Sequence, residues 1–138
     1  MKIGDTATLK KTISEKDINQ FARISGDYNP VHVNLDKARE SIFGERIAHG
    51  MLIASYISTV LGMKMPGEGT IFLEQSCKFI KPVRIGDTIE VFVEFEEIIN
   101  EKKGIIRLTN SIYNQNNEKV LDGYSIVKTT EIVAGDGK

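Results

Sequence analysis

The sequence is poor in several features whose scarcity is informative. It has one cysteine, Cys77, and no tryptophan. A single thiol closes no intrachain disulfide and builds no thiolate zinc cluster, so packing must hold the fold. Lys plus Arg number 18 and Asp plus Glu 19, a formal net charge of −1. With no basic excess, nucleic acid is not an expected partner. The opening MKIGDTATLK has charges but no apolar core, so no secretory signal is expected. The longest stretch without Asp, Glu, Lys or Arg runs from Ile47 to Met63 and contains His49, Gly50 and Gly62. It falls short of the ~20 apolar residues that span a bilayer, so no membrane partner is expected either. GxGxxG and Walker-type loops, which cradle phosphates, are absent. The expectation is a cytoplasmic protein with a single domain over residues 1–138.

What is present points to a sheet. Ile and Val number 19 and 9 against 7 Leu, and β-branched side chains suit a pleated surface better than a helix. Thr6–Thr12 reads as a short strand. Ser14 is an N-cap with Asp17 three residues on, Ile18, Phe21, Ala22 and Ser25 follow at helical spacing, and Gly26 is a stop. Asp27–Val33 is expected to be an irregular loop, because Pro30 pushes Asn29 away from helical dihedrals. Asn34 caps a short helix over Leu35–Ser41. Gly50–Leu61 is a helix with no charge on any face, so it should be buried nearly all round and end at Gly62.

Beyond the turn Pro66–Gly69 the pattern alternates. Ile71, Leu73, Cys77 and Phe79 are expected on one strand face; Ile89, Val91, Val93 and Phe95 on the next; then Ile106, Leu108 and Ile112; then Leu121, Ser125, Val127 and Thr129. Period 2 over four successive runs suggests an antiparallel meander. The architecture predicted is α+β, a long antiparallel sheet wrapped around one apolar helix. Residues 134–138, AGDGK, are expected to fray.

The two histidines, His32 and His49, focus the search for chemistry. His32 lies five residues after Asp27, in a loop shaped by Asn29 and Pro30. A carboxylate and an imidazole that converge on one water suffice for acid–base chemistry. Spacing alone leaves open a plain Asx turn with an ordinary histidine. His49 is read as holding a loop by a hydrogen bond, or as a catalytic group. Gly50 opens the apolar helix, where unpaired N–H groups and the dipole favour negative charge, so its N–H could sit in an oxyanion hole. A plain helix-start glycine is the equal alternative. Cys77 is read as a small core residue. Ser55 and Ser58 are read as pocket lining or as bonded back to their own helix. Lys78, Lys81 and Arg84 read as a solvated rim.

These residues together resemble a known family. Phe21, the run Ile24-Ser25-Gly26-Asp27, the run Asn29-Pro30-Val31-His32, and Ala38 are similar to the motif of the MaoC-like (R)-specific enoyl-CoA hydratases, the hydratase 2 group. The stretches AHGML (Ala48–Leu52), GTIFLEQSCKF (Gly69–Phe79) and KPVRIGDTIEV (Lys81–Val91) extend the resemblance over most of the chain. It implies a hot-dog fold paired with a second copy, an acyl-CoA substrate, and no cofactor beyond the coenzyme A of that substrate. It implies no metal. It also implies Asp27 and His32 as the catalytic pair, Gly50 as the amide donor to the thioester oxygen, and Ser58 as a wall of the acyl pocket. The implied reaction is reversible syn addition of water to a trans-2-enoyl-CoA, giving an (R)-3-hydroxyacyl-CoA. Other hot-dog enzymes, thioesterases and acyl-carrier-protein dehydratases, often carry an acidic residue on the central helix, and Met51–Leu61 has none. A non-enzymic acyl-CoA-binding module would not need Asp27 and His32.

Overall fold

The computed structural model describes residues 1–132, so the expected fraying of residues 134–138 lies outside the described residues. Strand β1 (Thr6–Thr12) leads through Ser14 into helix α1 (Glu15–Ser25). The Asp17 N–H donates to Ser14 Oγ at 3.1 Å and the Ser14 N–H to Asp17 Oδ2 at 2.9 Å, which is the expected capping box. Gly26 ends α1 at φ 80°, a left-handed position that glycine takes without steric cost. Three more helices follow: α2 (Pro30–Val33), α3 (Leu35–Glu40) and the long α4 (Gly50–Met63). Strands β2 (Ile71–Phe79), β3 (Thr88–Asn100), β4 (Ile105–Tyr113) and β5 (Lys119–Lys128) complete the elements of the described residues.

All pairings are antiparallel, and the sheet order is β1-β3-β4-β5-β2. The meander is therefore β3 to β5 only. β2 pairs with β5 at the far edge, because alternation fixes which face a residue takes and not which neighbour its strand takes. The inner face carries Ile89, Val91, Val93 and Phe95 on β3, Ile106, Leu108 and Ile112 on β4, and Leu121, Ser125 and Val127 on β5, all fully buried as expected. Thr129 is buried just past the end of β5. β2 departs from expectation. Its register shifts between Phe72 and Glu74, so Phe72, Gln75, Cys77 and Phe79 lie opposite Val127, Ser125, Gly123 and Leu121, while Ile71 pairs with Lys128. Ile71 and Leu73 thus do not share the face of Cys77 and Phe79; the bulge resets the alternation.

Two helical expectations are also corrected. Residues 30–33 form a turn of helix, not an irregular loop. Asn29 is extended at ψ 125°, as a residue before proline should be, and its side chain caps the Val31 N–H while Pro30 fills the first helical position. Helix α4 packs Leu52, Ile53, Ala54, Ile57, Val60 and Leu61 onto the sheet, but it is not buried all round. Met51 and Met63 are 64% and 79% exposed, and Ser55, Ser58 and Thr59 are exposed beside them. One sheet covers only one side of a helix. Nor does Gly62 stop α4: the helix runs to Met63, with the Lys64 N–H on the Val60 carbonyl, and ends before Pro66, which cannot continue it. No helix among the described residues is long and apolar enough to cross a membrane.

Candidate active site

The site lies where segment 46–49 closes over the α1–α2 connection. Four bonds make this clasp. Arg46 Nε donates to the His32 carbonyl at 2.5 Å, and the Ile47 N–H donates to the Val31 carbonyl at 3.2 Å. His32 Nδ1 meets the Ile47 carbonyl at 2.8 Å, and His49 Nε2 meets the Asp27 carbonyl at 3.0 Å. A carbonyl only accepts, so each of these ring nitrogens carries its proton. The clasp is anchored in turn by the Ala48 N–H on the Val83 carbonyl at 2.7 Å and by the bridge between Ile47 and Arg84. The buried Arg46 guanidinium also reaches Glu15 at 2.7 Å and Asn19 at 2.8 Å on α1.

Asp27 and His32 are brought together as expected. Asp27 is exposed and His32 half-buried, and ligand atoms of Asp27, His32 and His49 all lie within 4.8 Å of one another. The Asx turn forms too: Asp27 Oδ1 accepts the Asn29 N–H at 3.1 Å. The turn and the chemistry are compatible, since the turn uses one carboxylate oxygen and aims the other. With Nδ1–H held by Ile47, His32 presents a bare Nε2 lone pair. Burial pulls the His32 pKa below its ordinary 6.5, against the opposing Ile47 carbonyl and Asp27 carboxylate. The ring is held neutral, as an acceptor.

The same three side chains invite comparison with a metal site. The His32 and His49 rings stack with centroids 4.0 Å apart and planes inclined by 27°. Lone pairs lie in the ring planes, and planes so nearly parallel do not bring two nitrogens onto one ion at the ~2 Å of a metal–nitrogen bond. The donor set does not fit a metal as it stands.

Beside His32 opens a cleft of about 310 Å³, walled by Phe43, Gly50, Ile53, Phe79, Val83 and Val120. Gly50 is the first residue of α4. The Leu52 and Ile53 N–H groups go to the His49 carbonyl, whereas the Gly50 and Met51 N–H groups have no acceptor among the described residues. A Cβ on Gly50 would lie 2.9 Å from the Phe79 ring, so glycine lets that ring close against the helix start. Ser58 lies on the open face of α4 and is not a wall of this cleft. Ser55 is bonded back to the Leu52 carbonyl at 2.6 Å. Cys77 is half-buried, and burial pushes its thiol pKa up. Lys81 pairs with Glu118 at 2.7 Å and Arg84 with Glu45 at 3.1 Å, as rim residues do. His49 holds a loop, the first of its two readings. Phe79 is expected from sequence only as a strand-face residue and not at the site, and the only signal for Arg46 is its place as the last charge before the uncharged stretch.

A five-stranded antiparallel sheet around one apolar helix, with an acid–histidine pair at the helix start, defines a hot-dog acyl-thioester enzyme architecture. The family model described as MaoC like domain matches residues 3–116, and the chain belongs to that family. It is 53% identical over 103 residues to an (R)-specific enoyl-CoA hydratase of Rhodospirillum rubrum, covering 75% of this chain and 72% of the relative. It is 44% identical over 129 residues to a 3-hydroxybutyryl-CoA dehydratase of Methylorubrum extorquens, covering 93% and 80%. Among solved structures, the (R)-hydratase from A. caviae involved in PHA biosynthesis superposes with a TM-score of 0.88 at 37% identity, covering 93% of this chain and 96% of that one.

Proposed function

We propose that the protein is an (R)-specific enoyl-CoA hydratase, adding water reversibly and syn to a trans-2-enoyl-CoA. The observation that carries this reading is that His32, with its bare Nε2 and with the Asp27 carboxylate within 4.8 Å of its ring nitrogens, lines one cleft with Gly50, whose N–H is unpaired among the described residues. Hydration develops enolate charge on the thioester oxygen. The Gly50 N–H, with the dipole of α4 behind it, holds that oxygen. Asp27 and His32 are both acceptors, so a single water can donate one O–H to each and turn its lone pair to the β-carbon. Asp27 takes a water proton as the C–O bond forms and returns it to the α-carbon, and His32 orients the water throughout. Both new bonds form on the face that the water occupies, which makes the addition syn.

The working enzyme is proposed to be a homodimer. The open face of α4 and the edge strand β2 leave Met51, Met63, Ile71, Phe72, Leu73 and Phe79 exposed. An apolar edge of this kind needs cover, and a second copy supplies it. Ser58 shares that open face, so its proposed role as an acyl-pocket wall arises at the subunit boundary. Purified protein should hydrate crotonyl-CoA and longer enoyl-CoAs to the (R)-3-hydroxy products and sediment as a dimer or larger. A product of (S) configuration refutes the reaction, and a fully active monomer refutes the assembly.

A further inference from the structure

His49 touches both groups of the proposed catalytic pair, yet it is 2% exposed and out of reach of a substrate. Its Nε2–H holds the Asp27 main chain at 3.0 Å, one face of its ring stacks on His32 at 4.0 Å, and Phe21 packs against it at 4.9 Å. The two rings are in opposite tautomers. His32 carries its proton on Nδ1, toward Ile47, and His49 carries its proton on Nε2, toward Asp27. That leaves His49 Nδ1 bare and buried, without a partner among the described residues. This orphan nitrogen calls for an explanation, since buried polar atoms are nearly always paired. His49 is the N-cap of α4, the position from which a side-chain acceptor ordinarily takes a first-turn N–H, yet it makes no such bond. The ring is turned away from the helix it precedes and toward the catalytic loop.

We infer that His49 is a positioning residue of the hydratase: it locks the Asp27 main chain and the His32 ring into one geometry, and by declining to cap α4 it puts no competing acceptor beside the Gly50 amide, which is left to the thioester oxygen. The inference rests on the hydratase reading above. An ordinary cap at this position, Ser or Asp, would take the Met51 N–H and hold an oxygen next to the Gly50 amide, where the thioester oxygen has to sit. A residue that merely filled space would need neither the Nε2 bond nor the stack.

The test uses the whole protein. Having only two histidines, it gives a long-range proton–nitrogen NMR spectrum of two ring systems, assigned with His32→Gln. Above pH 7 the wild type should show one Nδ1–H ring, His32, and one Nε2–H ring, His49. Two rings of the same tautomer overturn the inference. Two variants then separate the contacts: His49→Phe keeps the stack without the donor, and His49→Gln keeps a donor without the stack. Each should lower kcat for crotonyl-CoA by ~10-fold or more, the scale of a misplaced catalytic group, at a KM within about threefold of wild type. His49→Asp, which loses both contacts, should lower kcat as far and in addition raise KM by ~10-fold, its carboxylate capping the Met51 N–H and setting a negative charge beside the Gly50 amide. Folded Phe and Gln variants with kcat within twofold of wild type overturn the inference, whatever their melting temperatures. If neither variant folds, the wild-type tautomers decide. A wild type that hydrates no enoyl-CoA sinks the hydratase reading instead and leaves the tautomer result standing.

Discussion

Replacing Arg46 with Met tests whether the clasp sets the catalytic geometry. Met keeps most of the apolar stem, so the change removes hydrogen bonds without opening a large cavity. Three contacts go. The His32 carbonyl loses a charged donor at 2.5 Å, a loss of ~1.5 kcal/mol at the low end of the range for charged groups. The Asn19 contact at 2.8 Å adds ~0.5–1 kcal/mol. The Glu15 pair contributes little, because the Glu15 side chain is 63% exposed and regains water; we assign it at most ~0.5 kcal/mol. Relief of the desolvated guanidinium offsets part of this total. The net loss is ~2 kcal/mol, or a fall in melting temperature of about 6–8 °C for a chain of this size. A double-mutant cycle of Arg46→Met with Glu15→Gln should show a coupling below ~0.5 kcal/mol. The activity should divide sharply. Arg46 fixes the His32 main chain and does not touch the cleft, so kcat for crotonyl-CoA should fall by ~10-fold with KM nearly unchanged. A melting temperature within about 2 °C of wild type, together with an unchanged kcat, would refute the reasoning.

Asp27→Asn and His32→Gln should each lower kcat by at least ~10²-fold with the fold intact; near wild-type hydration by either variant removes that residue from the assignment. Ser58→Leu should penalise longer acyl chains and spare crotonyl-CoA at an unchanged melting temperature, whereas a lower melting temperature with unchanged chain preference would assign Ser58 to packing. The folded-state pKa of His32 is depressed, so the acid limb of kcat/KM should have its midpoint below 6.5, and a midpoint above that value contradicts a neutral His32. By linkage the unfolded chain takes up this proton first, so the His32 contribution to stability is full above pH 6.5 and is lost as pH falls through the folded-state pKa. Chemical denaturation of His32→Gln should show a shallower loss over that range.

The parts of this fold that were legible in the sequence are those in which neighbours along the chain carry the signal. β3 is packed on one face and open on the other, so Ile89, Val91, Val93 and Phe95 alternate with Glu90, Phe92, Glu94 and Glu96, among which only Phe92 is apolar. Ser14 and Asp17 announce α1 because both halves of the capping box lie within one turn. The edge strand β2 gives no such signal. Ile71, Phe72 and Leu73 are all apolar and all exposed, and a bulge among them reverses the faces. The uncharged α4 misleads for a related reason: apolar surface records that something covers it and not whether the cover is a sheet or another subunit. At Asn29 and Pro30 the same proline that keeps Asn29 out of helical dihedrals fills the first position of α2, so a signal for irregular backbone is equally a signal for a helix start.

The site divides in the same way. Asp27 and His32 sit in one loop, and their chemistry marks them wherever the loop goes. What holds them does not. His49 reaches Asp27 across 22 positions and Arg46 reaches His32 across 14, and both bonds end on main-chain carbonyls. Every residue owns a carbonyl, so nothing about the identity of Asp27 or His32 encodes who binds it. That information resides only in the donors. It follows that the geometry of the Asp27–His32 loop is written at positions 46 and 49, outside the loop itself. Substitutions there should disturb the reaction more than a side-chain change at the exposed residues Tyr28 or Asn34, the second of which serves as the cap of α3.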